Sequence, residues 1–429
     1  MDAALADRIA GKVARRIIPL LAVLYLISYL DRVNVGFAAL TMNQDLGLSA
    51  TLYGWGAGIF FFGYLLFQAP SNLLLQRVGA RRWIAVLLLA WGVVSVATGW
   101  IQGPTSFLAA RFLLGVTEAG FFPGVILYLT YWVGPAHRGR IIAAFMFAIP
   151  VSNIVGAPLS SLILTHVHGG GLAGWRWLFI LEGAPALAGA LAVLALLPDG
   201  PRSAAWLTDV EKQALAQTAA TPAEVAAGRG LVALIAAPEV WLFCAVYFGI
   251  TLATYGLGLW LPQMIKAAGV STGNSAFYAA APYACGAVGM LAWSWIVDSR
   301  GAGRASSVWT PILLSAIGVA ASAFTPWPWQ LAAFSVATVG TVAAASSFWT
   351  LPTHRFGVAE TAVAVALINS AGNLGGFVGP IMIGWIKDAT HSFSAGLLFV
   401  AVCVAASGAL LALFGRAPVA DMATEPARN

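Results

Sequence analysis

Apolar and polar positions alternate along this chain on the scale of whole helices, giving twelve apolar runs parted by short polar breaks. They cover residues 17–40, 52–75, 83–101, 107–133, 140–166, 175–197, 238–265, 274–297, 305–324, 328–351, 361–386 and 392–414. Each is near the roughly 20 residues that carry an α-helix across a bilayer core. Ahead of them, Arg8, Lys12, Arg15 and Arg16 are spaced along one face of an amphipathic helix at the membrane surface. The first run carries Asp31 and Arg32 and is followed by no small-residue cleavage site, so it is expected to stay as a span and not to leave as a signal. One long polar connector, 198–237, holds Pro198, Pro201 and Pro222 and divides the spans six and six. The pattern predicts an all-α polytopic membrane protein: residues 1–197 as one six-helix bundle, 198–237 as a cytoplasmic connector, and 238–429 as a second bundle with a short tail.

Composition agrees and removes alternatives. The chain is 60% hydrophobic and only 9% charged, with mean hydropathy +0.85, which excludes a soluble globular reading. A formal charge of +6 would suggest nucleic acid if the bases were clustered. Instead, with the N-terminus placed in the cytoplasm, 17 of the 22 Lys and Arg fall in the termini and even-numbered loops. Only Arg176, Lys266 and Lys387 fall outside, and Arg32 and Arg111 lie within spans. The basic balance therefore reports topology, with both termini cytoplasmic in a cell (inner) membrane; the partner is the lipid bilayer and no nucleic acid is expected. Cys244, Cys285 and Cys403 lie in apolar runs without metal-ligand spacing and are expected to be small core residues. No nucleotide loop, metal cluster or nucleophile triad is present in the sequence, so neither a cofactor nor a metal is expected. His166 and His168, in a Gly-rich loop, are expected to be solvated.

A weak internal repeat supports two equivalent halves. Gln76-Arg77-Val78-Gly79-Ala80-Arg81-Arg82 aligns with Asp298-Ser299-Arg300-Gly301-Ala302-Gly303-Arg304, each in the loop between the second and third span of its half. These are candidate cytoplasmic gating loops, with Arg77, Gly79, Arg81, Asp298, Arg300 and Gly301 as their working residues. A short basic loop also serves topology alone.

Chemistry concentrates in the first half. Placing Asp31 and Arg32 inside a span costs about 2.5–3.5 kcal/mol per charge, so they must face protein or a water-filled cavity. Arg111 and Glu118, seven residues apart, share a face of the fourth span and bring two acids and two bases to one layer. Arg32 offers a planar fork of permanently protonated donors suited to a carboxylate. Asp31 and Glu118, partly desolvated, are candidate proton carriers whose protons leave when a guanidinium approaches. A structural ion-pair cluster locking the first and fourth spans is the alternative. Glu182 is expected to hold helices together. Asn369 and Asn373, one turn apart, are candidate substrate contacts on a glycine-rich helix that also serves close packing. Tyr25, Tyr29, Tyr64 and Gln68 are candidate cavity liners, and Trp349 is a further candidate. Tyr255-Gly256-Leu257-Gly258 would either bend as a gate or simply pack.

Longer strings carry a resemblance. Tyr29-Leu30-Asp31-Arg32-Val33-Asn34-Val35-Gly36-Phe37-Ala38, Arg111-Phe112-Leu113-Leu114-Gly115 running into Glu118-Ala119-Gly120-Phe121-Phe122-Pro123-Gly124, Gly174-Trp175-Arg176-Trp177-Leu178-Phe179-Ile180-Leu181-Glu182-Gly183, and Leu367-Ile368-Asn369-Ser370-Ala371-Gly372-Asn373-Leu374-Gly375-Gly376 occur in that order. Together with the twelve spans, the connector and the paired loops they resemble the major facilitator superfamily, and within it the anion:cation symporter branch of organic-anion and sugar-acid permeases. The resemblance implies two six-helix bundles, alternating access, and proton-coupled import of a small organic anion. It also implies that acids and an arginine at these motif positions do the work. Gln76 departs from it, standing where the superfamily loop usually has an acid, which weakens an ionic latch that Asp298 keeps in the second half. A monomer is expected to suffice. Exchange or uniport of the anion is the rival transport mode. A transporter-like sensor would need a signalling appendage for which the 15 residues after Phe414 leave little room. A membrane enzyme lacks a recognisable catalytic constellation.

Overall fold

The computed structural model describes residues 3–218, 231–300, 304–356 and 358–415. Among the described residues, eleven helices are long and apolar enough to cross a bilayer: Ile18–Asp45, Ala50–Val78, Ala80–Thr98, Pro104–Thr130, His137–His166, Gly174–Leu196, Pro238–Ala267, Thr272–Ser299, Trp329–Thr353, Val363–Thr390 and Ser394–Phe414. A shorter apolar helix, Ser306–Ser322, takes the ninth place, so the structure has one helix for each of the twelve predicted runs. They are called spans 1 to 12 in chain order. The agreement is close because the length of an apolar run is a local property that a bilayer reads directly.

Within each half the spans pack as a bundle. Span 3 lies on span 6, span 2 on span 4, and span 1 on spans 5 and 6. In the second half span 7 lies on spans 11 and 12, span 9 on spans 10 and 12, and span 8 on span 10. Glycines permit the closest of these approaches, as in soluble and membrane helix pairs alike. Gly115 of span 4 presses against the backbone of Phe60 on span 2, with no room for a side chain. That contact brings the following turn, with Glu118, close to the centre of the first bundle.

The halves meet through spans 1 and 7, 2 and 11, and 5 and 8. The close contacts lie toward the face opposite the one where span 1 begins, here called the distal face. Gly54 approaches the backbone of Pro380, Gly376 lies against the Phe61 ring, and Gly384 abuts Ala50. Tyr53 donates to the Leu259 carbonyl at 2.7 Å, Asn43 to Gln263 at 3.1 Å, and Lys266 Nζ to the Leu40 carbonyl at 2.6 Å. Asp388 of span 11 accepts the first two amides of span 2, from Ala50 at 3.1 Å and Thr51 at 2.7 Å, so one half caps a helix of the other. The molecule is closed at its distal face.

At the opposite face the amphipathic helix Ala3–Arg16 does more than lie along a membrane surface. Ile9 and Val13 are buried, Lys12 pairs with Glu211 at 2.8 Å, and Arg16 stands 5.9 Å from the Trp206 ring centre. Glu211 belongs to the helix Asp209–Thr218, so the start of the chain is clasped to the first part of the connector. Burial alone would push the Glu211 carboxyl up, but hydrogen bonds from Lys12 and Thr208 hold it below its ordinary value. The rest of the connector, 219–230, and the tail from 416 lie outside the described residues.

One expectation needs correction. Only Cys244 of the three cysteines is buried, while Cys403 is half-buried and Cys285 exposed; an apolar run fixes membership of a span but not which face looks outward. Gly256 packs near Gly379 of span 11.

Candidate functional site

Consecutive residues on an α-helix point about 100° apart. Asp31 and Arg32 therefore leave span 1 toward different neighbours, and the structure places them in two separate polar clusters.

Arg32 faces the junction of the two halves. Its Nη2 donates to Glu118 Oε2 at 3.0 Å, and its Nη1 reaches Tyr255 Oη of span 7 at 3.5 Å. The guanidinium carbon lies 5.2 Å from the Phe60 ring centre, 5.1 Å from that of Tyr64 and 5.8 Å from that of Tyr29, a three-ring collar that favours a cation. Glu118 is wholly buried and accepts a long bond from Ser28 at 3.4 Å. Arg32 Nε and Glu118 Oε1 have no partner. Beside the pair runs a crevice lined by Tyr29, Asn153, Thr254, Tyr255 and Tyr283, with residues from both halves. A second crevice, in the other half, shares Thr254, Gly258 and Tyr283 with it.

Asp31 faces inward to its own bundle. Ser95 Oγ donates to it at 2.7 Å, Trp91 Nε1 at 3.1 Å and Asn34 Nδ2 at 3.2 Å. Its adjacency to Arg32 in sequence therefore does not make it the counter-charge of Arg32, which is Glu118; within their layer the two acids face different neighbours. Glu182 of span 6 is also buried, and its Oε1 accepts from Ser160 of span 5 at 2.8 Å.

Arg111 lies deeper toward the distal face, fully buried, with Nε donating to the Gly56 carbonyl at 3.2 Å and its guanidinium 5.0 Å from the Phe60 ring centre. Its two terminal nitrogens have no partner. Phe60 thus has both guanidiniums near its ring, Arg32 at 5.2 Å and Arg111 at 5.0 Å from its centre.

The remaining candidates are scattered. Tyr29 and Tyr64 are buried at the collar, whereas Tyr25 stacks on Phe145 at 4.6 Å and Phe122 at 5.4 Å inside the first bundle and stands edge-on to Tyr29 at 6.4 Å, behind the crevice lining. Gln68 is half-buried with an unpartnered Oε1, and Asn373 half-buried with an unpartnered Nδ2. Asn369 is half-buried as well. Trp349 packs on Tyr247, ring centres 4.7 Å apart. In the loops, Arg77 is exposed and Arg81 donates to the Leu194 carbonyl. Gly79 adopts φ +93° beside Asp199, a backbone that favours glycine. Asp298 is exposed, the side chain of Arg300 and the whole of Gly301 lie outside the described residues, and His166 and His168 are exposed as expected.

Sequence reasoning did not single out Phe60, Trp91, Ser95, Asn153 or Tyr283. Trp91 and Ser95 stand one turn apart on span 3, a polar-capable stripe in an apolar run that was there to be read. A lone Tyr or Asn such as Tyr283 or Asn153 carries no such signal.

Two six-helix bundles, closed together at one face around a buried arginine and its acid, define a membrane transporter of the alternating-bundle class. The model of the Major Facilitator Superfamily matches residues 21–380, and the chain belongs to that family; it is a transporter and not an enzyme. A putative tartrate transporter of Agrobacterium vitis is 45% identical over 98% of this chain and 94% of its own length. A quinolone resistance transporter of Acinetobacter baumannii is 41% identical over 90% of each. Among solved structures, a bacterial homologue of the lysosomal transporter Spinster, inward-facing and occupied, superposes with TM-score 0.77 at 17% identity, covering 96% of this chain and 98% of that one. A D-xylose-proton symporter does so with TM-score 0.75 at 17% identity, over 93% and 96%. At those identities the likeness is one of fold.

Proposed function

We propose that this protein imports a small organic anion, a carboxylate such as a sugar acid, dicarboxylate or aromatic acid, together with protons. The observation that carries this reading is the Arg32–Glu118 pair, buried in an aromatic collar whose Tyr29, with the Arg32 partner Tyr255, lines a crevice shared by both halves. A substrate carboxylate and Glu118 compete for one guanidinium. When Glu118 takes a proton, Arg32 is released to the substrate; when the substrate leaves, Glu118 gives up the proton and recovers its partner. That exchange couples the two fluxes. Tyr29, Tyr64 and Tyr255 hold the guanidinium and offer hydroxyls, while Arg111, Asn369, Asn373, Gln68 and Trp349 contact substrate in other stages of the cycle. Asp31 is the second proton-coupling acid. The tartrate name of the first relative supports a carboxylate cargo.

Residues 1–197 and 238–429 move as the two bodies, with Arg77, Gly79, Arg81, Asp298, Arg300 and Gly301 in the loops that gate the cytoplasmic side. With both termini in the cytoplasm of an inner membrane, closure at the distal face is the inward-facing state of a monomer. The test is uptake of labelled carboxylates into proteoliposomes with imposed pH and voltage gradients. Accumulation driven by an inward proton gradient, and abolished by a protonophore, is the expected result. Accumulation indifferent to both gradients would leave exchange or uniport in its place.

A further inference from the structure

Span 6 carries a buried acid that the Arg32–Glu118 exchange does not use. Glu182 Oε1 accepts from Ser160, but its Oε2 has no partner. Beside it stands Asn34, whose Nδ2 donates to Asp31 and whose Oδ1 also has no partner. Two carboxyl groups, on spans 1 and 6, thus flank one amide in the interior of the first bundle. Neither carboxyl has a cation among its hydrogen-bond partners: those of Asp31 are Ser95, Trp91 and Asn34, and that of Glu182 is Ser160, with the Asn34 side chain within reach of it.

The surroundings admit few other charges. Span 6 packs on spans 1, 3 and 5, which present Asp31 and Asn34, Ser95 beneath Gly183, and Ser160. Around Asp31, Trp91 and Ser95 come from span 3, and the charges of Glu118 and Arg111 act from span 4 at longer range. Two ionised carboxylates this deep, each without a paired cation, would repel and pay full desolvation, so such a pair retains at least one proton.

We infer that Glu182 and Asp31 hold one proton in common through Asn34, so that Glu182 is a positioning and proton-storing residue that sets when Asp31 can load and release. The role in transport rests on the proton-coupled reading above; the shared proton itself does not.

The test is an infrared titration of the purified full chain in detergent, following protonated carboxyl bands without substrate. Coupled groups release protons in two macroscopic steps that belong to the pair. Glu182→Gln and Asp31→Asn should each abolish the upper step, leaving one carboxyl that titrates about one pH unit or more lower. Asn34→Ala, with both acids kept, should narrow the gap between the steps. An upper step that survives at its original pH in either single variant would overturn the inference, since it would belong to one residue alone. If Glu182→Gln does not fold, Asp31→Asn and Asn34→Ala still decide it. In proteoliposomes, Glu182→Gln should move the pH profile of uptake toward acid by about one unit. Wild-type uptake that ignored the pH gradient would remove the symport reading while leaving the infrared result to stand or fall by itself.

Discussion

The two halves share one helical plan but not one chemistry. The first buries Asp31, Arg32, Arg111, Glu118 and Glu182 inside its bundle. The second, among the described residues, buries no charged side chain within its spans; its buried polar groups are hydroxyls such as Thr251, Ser315 and Thr341. Ser315 and Thr341 bond each other at 2.7 Å, and Thr251 bonds the Gly372 carbonyl, so these groups serve helix packing. On the proposed reading, the contrast assigns the ionic events to one body and leaves the other to supply shape, through Tyr255, Tyr283 and Thr254 at the shared crevice. A division of this kind lets a substrate be recognised by charge on one side and by fit on the other.

The sharpest way to break the contrast is to remove the charge. Arg32→Ala should weaken carboxylate binding at least about thirtyfold, since truncating a buried, hydrogen-bonded charge costs 2 kcal/mol or more. Arg32→Lys should do little better, because an ammonium cannot reproduce the fork. Thermal-shift titration with carboxylates measures both; an affinity within threefold of wild type would take Arg32 out of the site. Tyr255→Phe, on the neutral side, should cost only a few-fold in the same assay.

Next in size is Glu118→Gln, which should spare exchange between equal substrate pools but stop uphill accumulation in proteoliposomes. Retained accumulation would move the coupling proton elsewhere.

A smaller effect concerns the clasp at the terminal face. Glu211 sits below its ordinary value, so its contribution to stability is present above the unfolded carboxylate value near 4.3 and is lost as pH falls through the lower, folded one. Lys12→Met should remove about 0.5–1 kcal/mol at pH 7 and little at strongly acid pH. Hydrogen exchange over residues 3–16 reports it, and equal protection in variant and wild type at pH 7 would show the clasp to be idle. Smallest is Gln76→Asp, expected to favour the outward-facing state by restoring a loop charge and to slow turnover. Unchanged labelling of cysteine probes in the cytoplasmic cavity would count against it.

Much of the architecture was legible because hydropathy, which sets the spans, is read along the chain. The site was legible in membership but not in partnership. Arg32, Asp31 and Glu118 were recognisable as intramembrane charges, but their spacing could not tell that Arg32 meets Glu118 while the rotation of span 1 sends Asp31 to Trp91 and Ser95. That rotation is set by packing on spans 5 and 6, which no window of sequence contains. Cys285 failed in the same way, being correctly placed in a span and wrongly placed within its cross-section.

The glycine contacts between spans 2 and 11 also bear on how such a protein is changed by mutation. Gly54 and Gly384 meet backbone of the other half in this closed arrangement of the distal face, and on the proposed alternating access they part when that face opens. A methyl group added there is a wedge: its cost of about 1–3 kcal/mol falls on one conformer instead of on folding. Since about 1.4 kcal/mol is tenfold in an equilibrium, single alanines along this line would re-weight the cycle strongly in a protein that still folds. Inheritance can therefore tune the resting orientation of this carrier at sites that never touch its cargo, and a structural biologist can use the same sites to capture the opposite state.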